Sequence, residues 1–185
     1  MKSPPPVVIE GVRLRLRRST PDDAPLTFRV AAHAEVMRYM DWPAHRSEAD
    51  ARTYLEGCEK RWQAGTEYHW GIVDKRGEAL IGSIACRVHG HAADFGCLLG
   101  HESWGQGFGT EAGGLLVGWL KRQPEILRIW ATADSENARS QRVLAKLGLR
   151  TEGVLRMATW RPQLGGLPRD TVMMAWVREL QRPAG

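Results

Sequence analysis

Hydrophobic and polar positions change their period several times along the chain, and each change marks a new secondary-structure element. Alternating apolar and basic residues in VRLRLRR predict a half-solvated strand over residues 12–17. The segment STPDDA, with Pro21, is typical of a helix start, and we expect that helix to continue to about Tyr39. Apolar residues at helical spacing after the turn MDWPAHRS predict a second helix, which stops at Gly65.

The remaining chain alternates between strand and helix patterns. Apolar residues from Ala112 to Leu120 recur at i, i+3, i+4, i+7 and i+8 and predict an amphipathic helix over residues 110–122. A further helix covers residues 137–147 and is closed by Gly148. The predicted strands cover residues 68–73, 79–89, 93–99, 127–133, 149–160 and 171–177. This order predicts an α/β (α+β) fold, with a mixed, mostly antiparallel twisted sheet of six to seven strands and helices on both faces.

Composition limits the classes of protein to consider. The 185 residues fit a single domain over 1–185, and no apolar run approaches the length of about 20 residues that a membrane helix needs. The N-terminal MKSPPPVVIEG has no signal-peptide pattern, so we expect a cytoplasmic protein. Three cysteines, an odd number without metal-ligand spacing, suit a reducing compartment and predict no metal site.

The formal net charge of +5 suits an anionic ligand without identifying it. The densest basic patch is VRLRLRR, and no aromatic residues that could stack on bases are interleaved with it. A nucleic-acid partner is therefore not expected.

The stretch HESWGQGFGTEAG, residues 101–113, places three glycines at alternate positions directly before a helix. Such a loop directs unpaired backbone N–H groups and the positive end of the helix dipole at one spot, which binds anions. A nucleoside-triphosphate loop is excluded because no Lys-Ser or Lys-Thr follows the glycines. The dinucleotide fingerprint disagrees as well, because Gly105, Gly107 and Gly109 spell G-x-G-x-G and only 75 residues follow Thr110.

The chain resembles the GNAT acetyltransferase superfamily, and more narrowly its RimJ/RimL-like branch of ribosomal-protein N-terminal acetyltransferases, in the segments FGCLLGHESWGQGFGTEA and NARSQRVLAKLGL. Similarity to that branch extends to VRLRLRRSTPDDA, MDWP and RTEGVLR, and so covers nearly the whole chain. Trp104 stands where the family loop usually has Gln or Arg. The resemblance implies the GNAT fold and acetyl-CoA as cosubstrate, with no metal.

The resemblance also implies how the coenzyme binds. Backbone amides of the loop would bind its pyrophosphate, while Leu98 and Leu99 would present backbone groups to its pantetheine arm. Asn137 is either the N-cap of its helix, a ligand to a pantetheine amide, or both. The residues expected to bind the coenzyme are Leu98, Leu99, Trp104, Gly105, Gln106, Gly107, Phe108, Gly109, Thr110 and Asn137.

Acetyl transfer to an amine needs a neutral amine, a stabilised oxyanion and a proton for the leaving thiolate. Glu102 is the candidate base, directly or through water, and His101 is the alternative; a solvated loop carboxylate explains Glu102 equally well. Ser140 lies on the apolar face of its helix, and the branch resemblance implies that it protonates the coenzyme sulfur; a bond back to a helix carbonyl is the alternative. Glu111 should turn away from the anion site.

The sequence and the resemblance together predict an N-acetyltransferase that moves acetyl from acetyl-CoA directly to a primary amine. The branch makes a protein N-terminal α-amine the expected acceptor, with Tyr39, Trp42 and residues 161–169 at the acceptor mouth. The alternatives are a small-molecule amine such as an antibiotic or polyamine, a non-catalytic coenzyme-sensing or RNA-associated module, and an NAD-dependent oxidoreductase. No membrane partner is expected, and the sequence leaves a homodimer open.

Overall fold

Residues 5–179 are described by a computed structural model. They form an eight-stranded sheet and five α-helices. The strands are β1 Val8–Glu10, β2 Leu14–Arg18, β3 Tyr68–Asp74, β4 Ala79–His89, β5 Ala92–Leu99, β6 Arg128–Asp134, β7 Arg150–Thr159 and β8 Arg169–Val177. The helices are α1 Ala24–Ala31, α2 Ala34–Met37, α3 Glu48–Gln63, α4 Phe108–Lys121 and α5 Ala138–Lys146. No helix within residues 5–179 is long and apolar enough to cross a membrane.

The strands follow the spatial order β1-β2-β3-β4-β5-β6-β8-β7. Every neighbouring pair is antiparallel except β5 and β6, which are parallel. The predicted mixed, mostly antiparallel sheet is therefore confirmed, and β3, β4 and β5 form an antiparallel meander within it. The parallel step arises because α4 returns the chain from β5 to the start of β6, as crossover connections between parallel strands require.

Helices cover both faces of the sheet. The His69 ring contacts Tyr54 of α3, with centroids 5.6 Å apart, whereas the next residue, Trp70, contacts Trp119 of α4 at 6.1 Å. Successive strand residues point to opposite faces, so α3 and α4 lie on opposite sides of the sheet. The larger core lies under α4 and α5, and a smaller cluster around Leu55 joins α3 to α1.

Two details of the sequence prediction are wrong. The helix predicted up to Tyr39 is two helices, because His33 is extended (φ −77°, ψ 118°) between α1 and α2. The ring of His33 stacks on His101 at 4.9 Å, a distant contact that no local pattern encodes. The sheet also has an eighth strand, β1, whose three residues pair with β2 and bury Ile9; so short a segment shows no measurable periodicity.

Candidate active site

Two neighbouring strands diverge at the centre of the sheet. The parallel pairing of β5 with β6 ends at Asp94 and Trp130. Beyond these residues, β5 follows β4 to Leu99 while β6 follows β8 to Asp134. The divergence opens a cleft of about 1010 Å³. Because the gap reaches both faces of the sheet, α5 lines the cleft on one side and α3 on the other.

The glycine-rich loop reaches this cleft at Trp104 and Gly109. Gly105 and Gly107 have φ angles of 77° and 80°, a left-handed conformation that glycine adopts without strain, and α4 begins at Phe108. The amide N–H groups of residues 105–110 have no acceptor within residues 5–179, and the first helical bond runs from Glu111 N to the Gly107 carbonyl. Consecutive free donors at a helix N-terminus form an anion site.

Positive side chains surround the loop. Arg13 Nη1 donates to the Gln106 carbonyl (3.0 Å), and the Arg13 guanidinium lies 4.7 Å from the centroid of the Phe108 ring. Arg139 of α5 lines the cleft and lies over the Trp104 ring at 4.1 Å. An anion held by the free amides would therefore also gain charge attraction from arginine.

Glu111 lies in the first turn of α4 but points toward β2. Its carboxylate accepts hydrogen bonds from the backbone N–H groups of Arg13 (2.8 Å) and Leu14 (3.1 Å) and pairs with Arg13 Nε (2.7 Å). Burial favours the neutral carboxyl, but these donors and the guanidinium charge outweigh it and hold the pKa of Glu111 below its ordinary value. The carboxylate is thus turned away from the anion site and neutralised.

Trp104 fastens the loop to β5. Its indole Nε1 donates to the Leu99 carbonyl (3.0 Å). The Leu98 carbonyl lies on the other side of the strand against Gly82 of β4, where a Cβ on Gly82 would come within 2.2 Å of the oxygen. Leu98 and Leu99 were both predicted to offer backbone groups to a pantetheine arm. Of the two, Leu99 directs its carbonyl toward the cleft, and that oxygen already accepts the hydrogen bond from Trp104.

Helix α5 contributes both polar residues singled out in its sequence. Asn137 is the N-cap, because its Oδ1 accepts from Ser140 N (3.1 Å). Ser140 lines the cleft, and its hydroxyl makes no hydrogen bond within residues 5–179, so the alternative of a bond back to a helix carbonyl does not occur. Gly113 of α4 allows α5 to approach, since a Cβ there would come within 2.6 Å of Leu147.

The two candidate bases, Glu102 and His101, lie in a short 3-10 turn at His101–Ser103. Both are exposed, and neither is among the residues that line the cleft. The His101 ring packs between His33 and Trp104, at 4.9 and 4.7 Å. The structure therefore does not bring either side chain to the part of the cleft that contains Ser140.

Charged side chains line the cleft as well, and we call a group of six of them the charged end. Its members are Arg61, Glu67, Arg87, Asp94, Asp134 and Arg161. Arg61 Nε donates to Glu67 (3.0 Å), and Arg87 Nε donates to Asp94 (2.9 Å). Of these six residues, only position 161 was predicted at the site, as part of the loop 161–169. The six come from five separate segments, so no local pattern links them.

Asp134 is the most deeply buried carboxylate of the charged end. It accepts from Arg169 Nε (2.8 Å) and from the Glu136 backbone N–H (3.0 Å), and Arg161 lies beside it. Burial disfavours its charged form, but these hydrogen bonds and the two guanidinium charges hold the pKa of Asp134 below its ordinary value. Asp134 is therefore an ionised partner of arginine.

Aromatic residues form the wall between the charged end and the surface. Tyr39 and Trp42, predicted at the acceptor mouth, both line the cleft. Trp42 stacks on Tyr54 with centroids 5.6 Å apart and an interplanar angle of 14°. Gln163 Nε2 donates to the carbonyls of Met37 (2.7 Å) and Trp42 (2.9 Å), so the predicted loop 161–169 is tied to this wall.

His69 is a cleft residue that the sequence analysis did not single out. Its ring is buried, and Nδ1 lies 2.9 Å from Ser19 Oγ. Burial, aided by the nearby charge of Arg61, lowers the pKa of His69 to about 4. In the sequence, the signal for this residue was a histidine within the mainly apolar strand YHWGIVD. The lowered pKa depends on burial, which that local pattern does not reveal.

Cys97 lines the cleft and is exposed there, and desolvation by the neighbouring cleft residues raises the pKa of its thiol. Cys86 is buried, and burial raises the pKa of its thiol. A raised pKa favours the protonated thiol over the nucleophilic thiolate.

Comparison with known proteins accounts for this architecture. A family model described as an acetyltransferase (GNAT) domain matches residues 13–150. The Bacillus subtilis protein named uncharacterized N-acetyltransferase YoaA is 29% identical over 174 residues, which cover 92% of this chain and 97% of that protein.

Solved structures share the fold. The microcin C7 self-immunity acetyltransferase MccE, in complex with acetyl-CoA and AMP, superposes with a TM-score of 0.84 at 21% identity over 96% of this chain and all of that one. RimL, a ribosomal L7/L12 α-N-protein acetyltransferase in complex with coenzyme A, gives 0.82 at 20% identity over 92% and 97% of the two chains. At these identities the structures show the fold alone. Because the family model covers more than half of the sequence, the chain belongs to the GNAT N-acetyltransferase family.

Proposed function

We propose that this protein transfers the acetyl group of acetyl-CoA directly to a primary amine, and that the acceptor is the α-amine of a protein N-terminus. The observation that carries the proposal is the row of free amide donors at residues 105–110, in a segment that reaches a cleft open to both faces of the sheet at Trp104 and Gly109. One face can thus receive the coenzyme while the other receives the amine, as a direct transfer between two bound substrates requires.

The residues at the loop fit the phosphate groups of the coenzyme. Gly105, Gln106, Gly107, Phe108, Gly109 and Thr110 would bind the pyrophosphate through their N–H groups. Arg139 adds positive charge, and Trp104 holds the loop in place through Leu99. Asn137 would contact the pantetheine arm with whatever hydrogen-bonding capacity its N-cap role leaves free.

The chemistry asks little of the protein beyond positioning and proton supply. The amine nitrogen forms a C–N bond to the thioester carbonyl carbon, the C–S bond breaks, and the coenzyme leaves as a thiolate. We propose that Ser140 Oγ donates a proton to that sulfur and recovers one from solvent, since its hydroxyl is free of protein partners.

An α-amine suits a site of this kind. Its ordinary pKa of about 8 lets it lose a proton near neutral pH, whereas a lysine amine at about 10.4 needs a stronger base. We propose that the proton passes to water in the cleft, because Glu102 and His101 are exposed outside its lining. The names of two structural neighbours, the ribosomal L7/L12 and the ribosomal-protein-S5-alanine acetyltransferases, describe proteins that act on ribosomal proteins and support this acceptor class.

The test is an acceptor panel. The full chain is incubated with acetyl-CoA and with N-terminal peptides, polyamines and aminoglycoside antibiotics, while release of free thiol is measured. Peptide-dependent release is the expected result. Release with polyamines or antibiotics alone would contradict the proposed acceptor class but would still support an acetyltransferase. Tight coenzyme binding without release for any acceptor would favour a sensor, and binding of NADH without coenzyme A would contradict the whole proposal.

A further inference from the structure

Arg161 is a buried cation in an exposed stretch of chain. It follows β7 in the connection to β8, where Trp160 and Pro162 on either side are exposed. The Arg161 side chain itself is 7% exposed and lines the charged end of the cleft. Arginine is rarely buried unless both its charge and its N–H groups have partners. Its partners therefore decide what the residue is for.

The protein supplies Arg161 with a charge partner but with no hydrogen-bond acceptor. Asp134 Oδ2 lies 3.5 Å from Arg161 Nε, close enough for an ion pair. The Asp134 carboxylate is already bound by Arg169 and by the Glu136 N–H. Arg161 Nε is buried without a hydrogen-bond partner, and its terminal nitrogens donate to no acceptor within residues 5–179. A guanidinium carries five N–H donors in a fixed plane, so this side chain presents an unused fork to the cleft.

The other arginines of the charged end differ from Arg161. Arg61 donates to Glu67, and Arg87 donates to Asp94. Each of these pairs neutralises itself within the cleft wall. The buried carboxylates of the charged end are thereby all engaged with arginine, while one buried guanidinium keeps free donors.

Arg161 lies on the side of the sheet that we assign to the acceptor. Ala131 and Ala133 of β6 belong to the core under α4 and α5, so Asp134 points to the opposite face. Arg161, paired with Asp134, shares that face with α3, while Ser140 approaches from α5. Both residues line the same cavity, so an acceptor bound in it can contact Arg161.

We infer that Arg161 binds the carbonyl or carboxylate oxygen of the group attached to the α-carbon that bears the reacting amine. The inference rests on the proposed acetyl transfer and deepens it by naming the acceptor class: an α-amino acyl group, found at a peptide N-terminus or in a free amino acid. The planar guanidinium fork matches such an oxygen. A polyamine carries no oxygen and would bring a second cation to a site whose buried carboxylates are engaged.

The experiment compares four acceptors: Ala-Ala-Ala amide, its isostere with a trans C=C in place of the first peptide bond, free alanine, and spermidine. Wild-type protein and the Arg161→Met, Arg161→Lys and Arg52→Met variants are assayed for kcat/KM by thiol release. Calorimetry measures acceptor binding to the coenzyme A complex. Arg52 is an exposed arginine of α3 that does not line the cleft, so its variant controls for loss of one positive charge.

Wild type should prefer the acceptors with the oxygen over the isostere and spermidine by about tenfold or more, as expected for a hydrogen bond to a charged group. Arg161→Met should lower kcat/KM for the peptide by roughly 10- to 100-fold and for the isostere by less than about threefold, with Arg52→Met near wild type. The ratio of peptide to free alanine identifies the source of the oxygen. If Arg161→Met does not fold, as judged by coenzyme affinity and Tm, Arg161→Lys keeps the charge, loses the fork and should still lose most of the preference.

Equal losses for the peptide and the isostere, or a wild-type preference for spermidine, would overturn the inference while leaving an amine acetyltransferase intact. If no amine is acetylated, the proposed transfer fails and calorimetry still decides the role of Arg161. A binding preference of about tenfold for the peptide or alanine over the isostere would support it, and equal or absent binding would overturn it.

Discussion

The two ends of the cleft present different chemical groups: backbone amides at one end and charged side chains at the other. At the loop end, the donors are backbone N–H groups of residues 105–110, fixed by two left-handed glycines and a helix start. At the charged end, the functional groups are side chains from α3 and several strands and loops, among them Arg61, Asp94 and Arg161. One end is contiguous in sequence, and the other exists only after folding.

This difference matches what each end would have to recognise. A pyrophosphate is the same in every reaction cycle, and backbone amides bind it whatever the nearby side chains are. An acceptor differs from one member of a family to the next, and exchangeable side chains on loops can follow that difference. The loop end thus carries the family identity of this protein, and the charged end should carry its specificity.

Ser140 lines the cleft that both ends share, and its variant should have the largest effect. Because general acids typically contribute 10²–10⁴-fold, Ser140→Ala should lower kcat by roughly 100-fold or more. The Kd for coenzyme A should stay within about twofold, since the loop amides are untouched. Steady-state kinetics with calorimetry checks both. An unchanged kcat would make Ser140 a packing residue and leave the two ends without a shared catalytic group.

His69, a buried residue that lines the cleft beside the charged end, makes the free energy of unfolding of the protein dependent on pH. In the folded protein its pKa is about 4, below the ordinary 6.5. The unfolded chain therefore binds more protons between these values, so stability is complete above about pH 6.5 and is lost as pH falls toward 4. The difference corresponds to at most about 3 kcal/mol.

Urea unfolding of wild type and His69→Asn between pH 4 and 7 measures this effect. The free energy of unfolding of wild type should fall with acid more steeply than that of the variant. Parallel profiles would show that burial of His69 does not make the free energy of unfolding depend on pH as expected. They would also weaken the contrast between titratable side chains at one end of the cleft and backbone groups at the other.

Gly107 tests whether the loop end works through its backbone geometry. A β-branched residue at φ 80° is strongly disfavoured, and such strain costs about 1–3 kcal/mol. Gly107→Val should therefore weaken coenzyme A binding by roughly 10- to 100-fold in calorimetry.

Gly114→Ala is the matched control for that variant. Gly114 lies in α4, the helix that Gly107 precedes, is exposed and has its nearest side-chain atom, on Leu147, 3.9 Å from the new Cβ. Its coenzyme affinity should stay near wild type, and Tm should rise slightly because alanine favours a helix by roughly 0.5–1 kcal/mol over glycine. Similar affinities for both variants would show that the left-handed turn is dispensable.

Glu102→Gln should have the smallest effect. The side chain is exposed outside the cleft lining, so we expect kcat/KM to fall by less than about threefold, and His101→Gln to behave alike. The pH–rate profile of kcat/KM is the measurement. A loss of about 100-fold with a changed acidic limb would establish Glu102 as the base, and the loop end would then supply chemistry as well as binding.

Most of the fold follows from local patterns, and its exceptions have physical causes. The periodicity predicts seven of the eight strands and both helices after the loop, because the pattern that marks each of them lies within its own residues. It fails at His33, where a ring contact from residue 101 interrupts the helix, and at β1, which needs β2 beside it to be a strand. Both failures lie where a distant partner decides the local conformation.

The candidate site divides in the same way. The sequence by itself determines the glycine loop, the N-cap at Asn137 and the inward face of Ser140, because a helix start and its periodicity are properties of neighbouring residues. Only the tertiary structure decides that β5 and β6 diverge, that Arg161 and His69 are buried in one cleft, and that Glu102 is left outside it. Burial, charge pairing and free hydrogen-bond donors depend on which segments meet, and that information is spread over the whole chain.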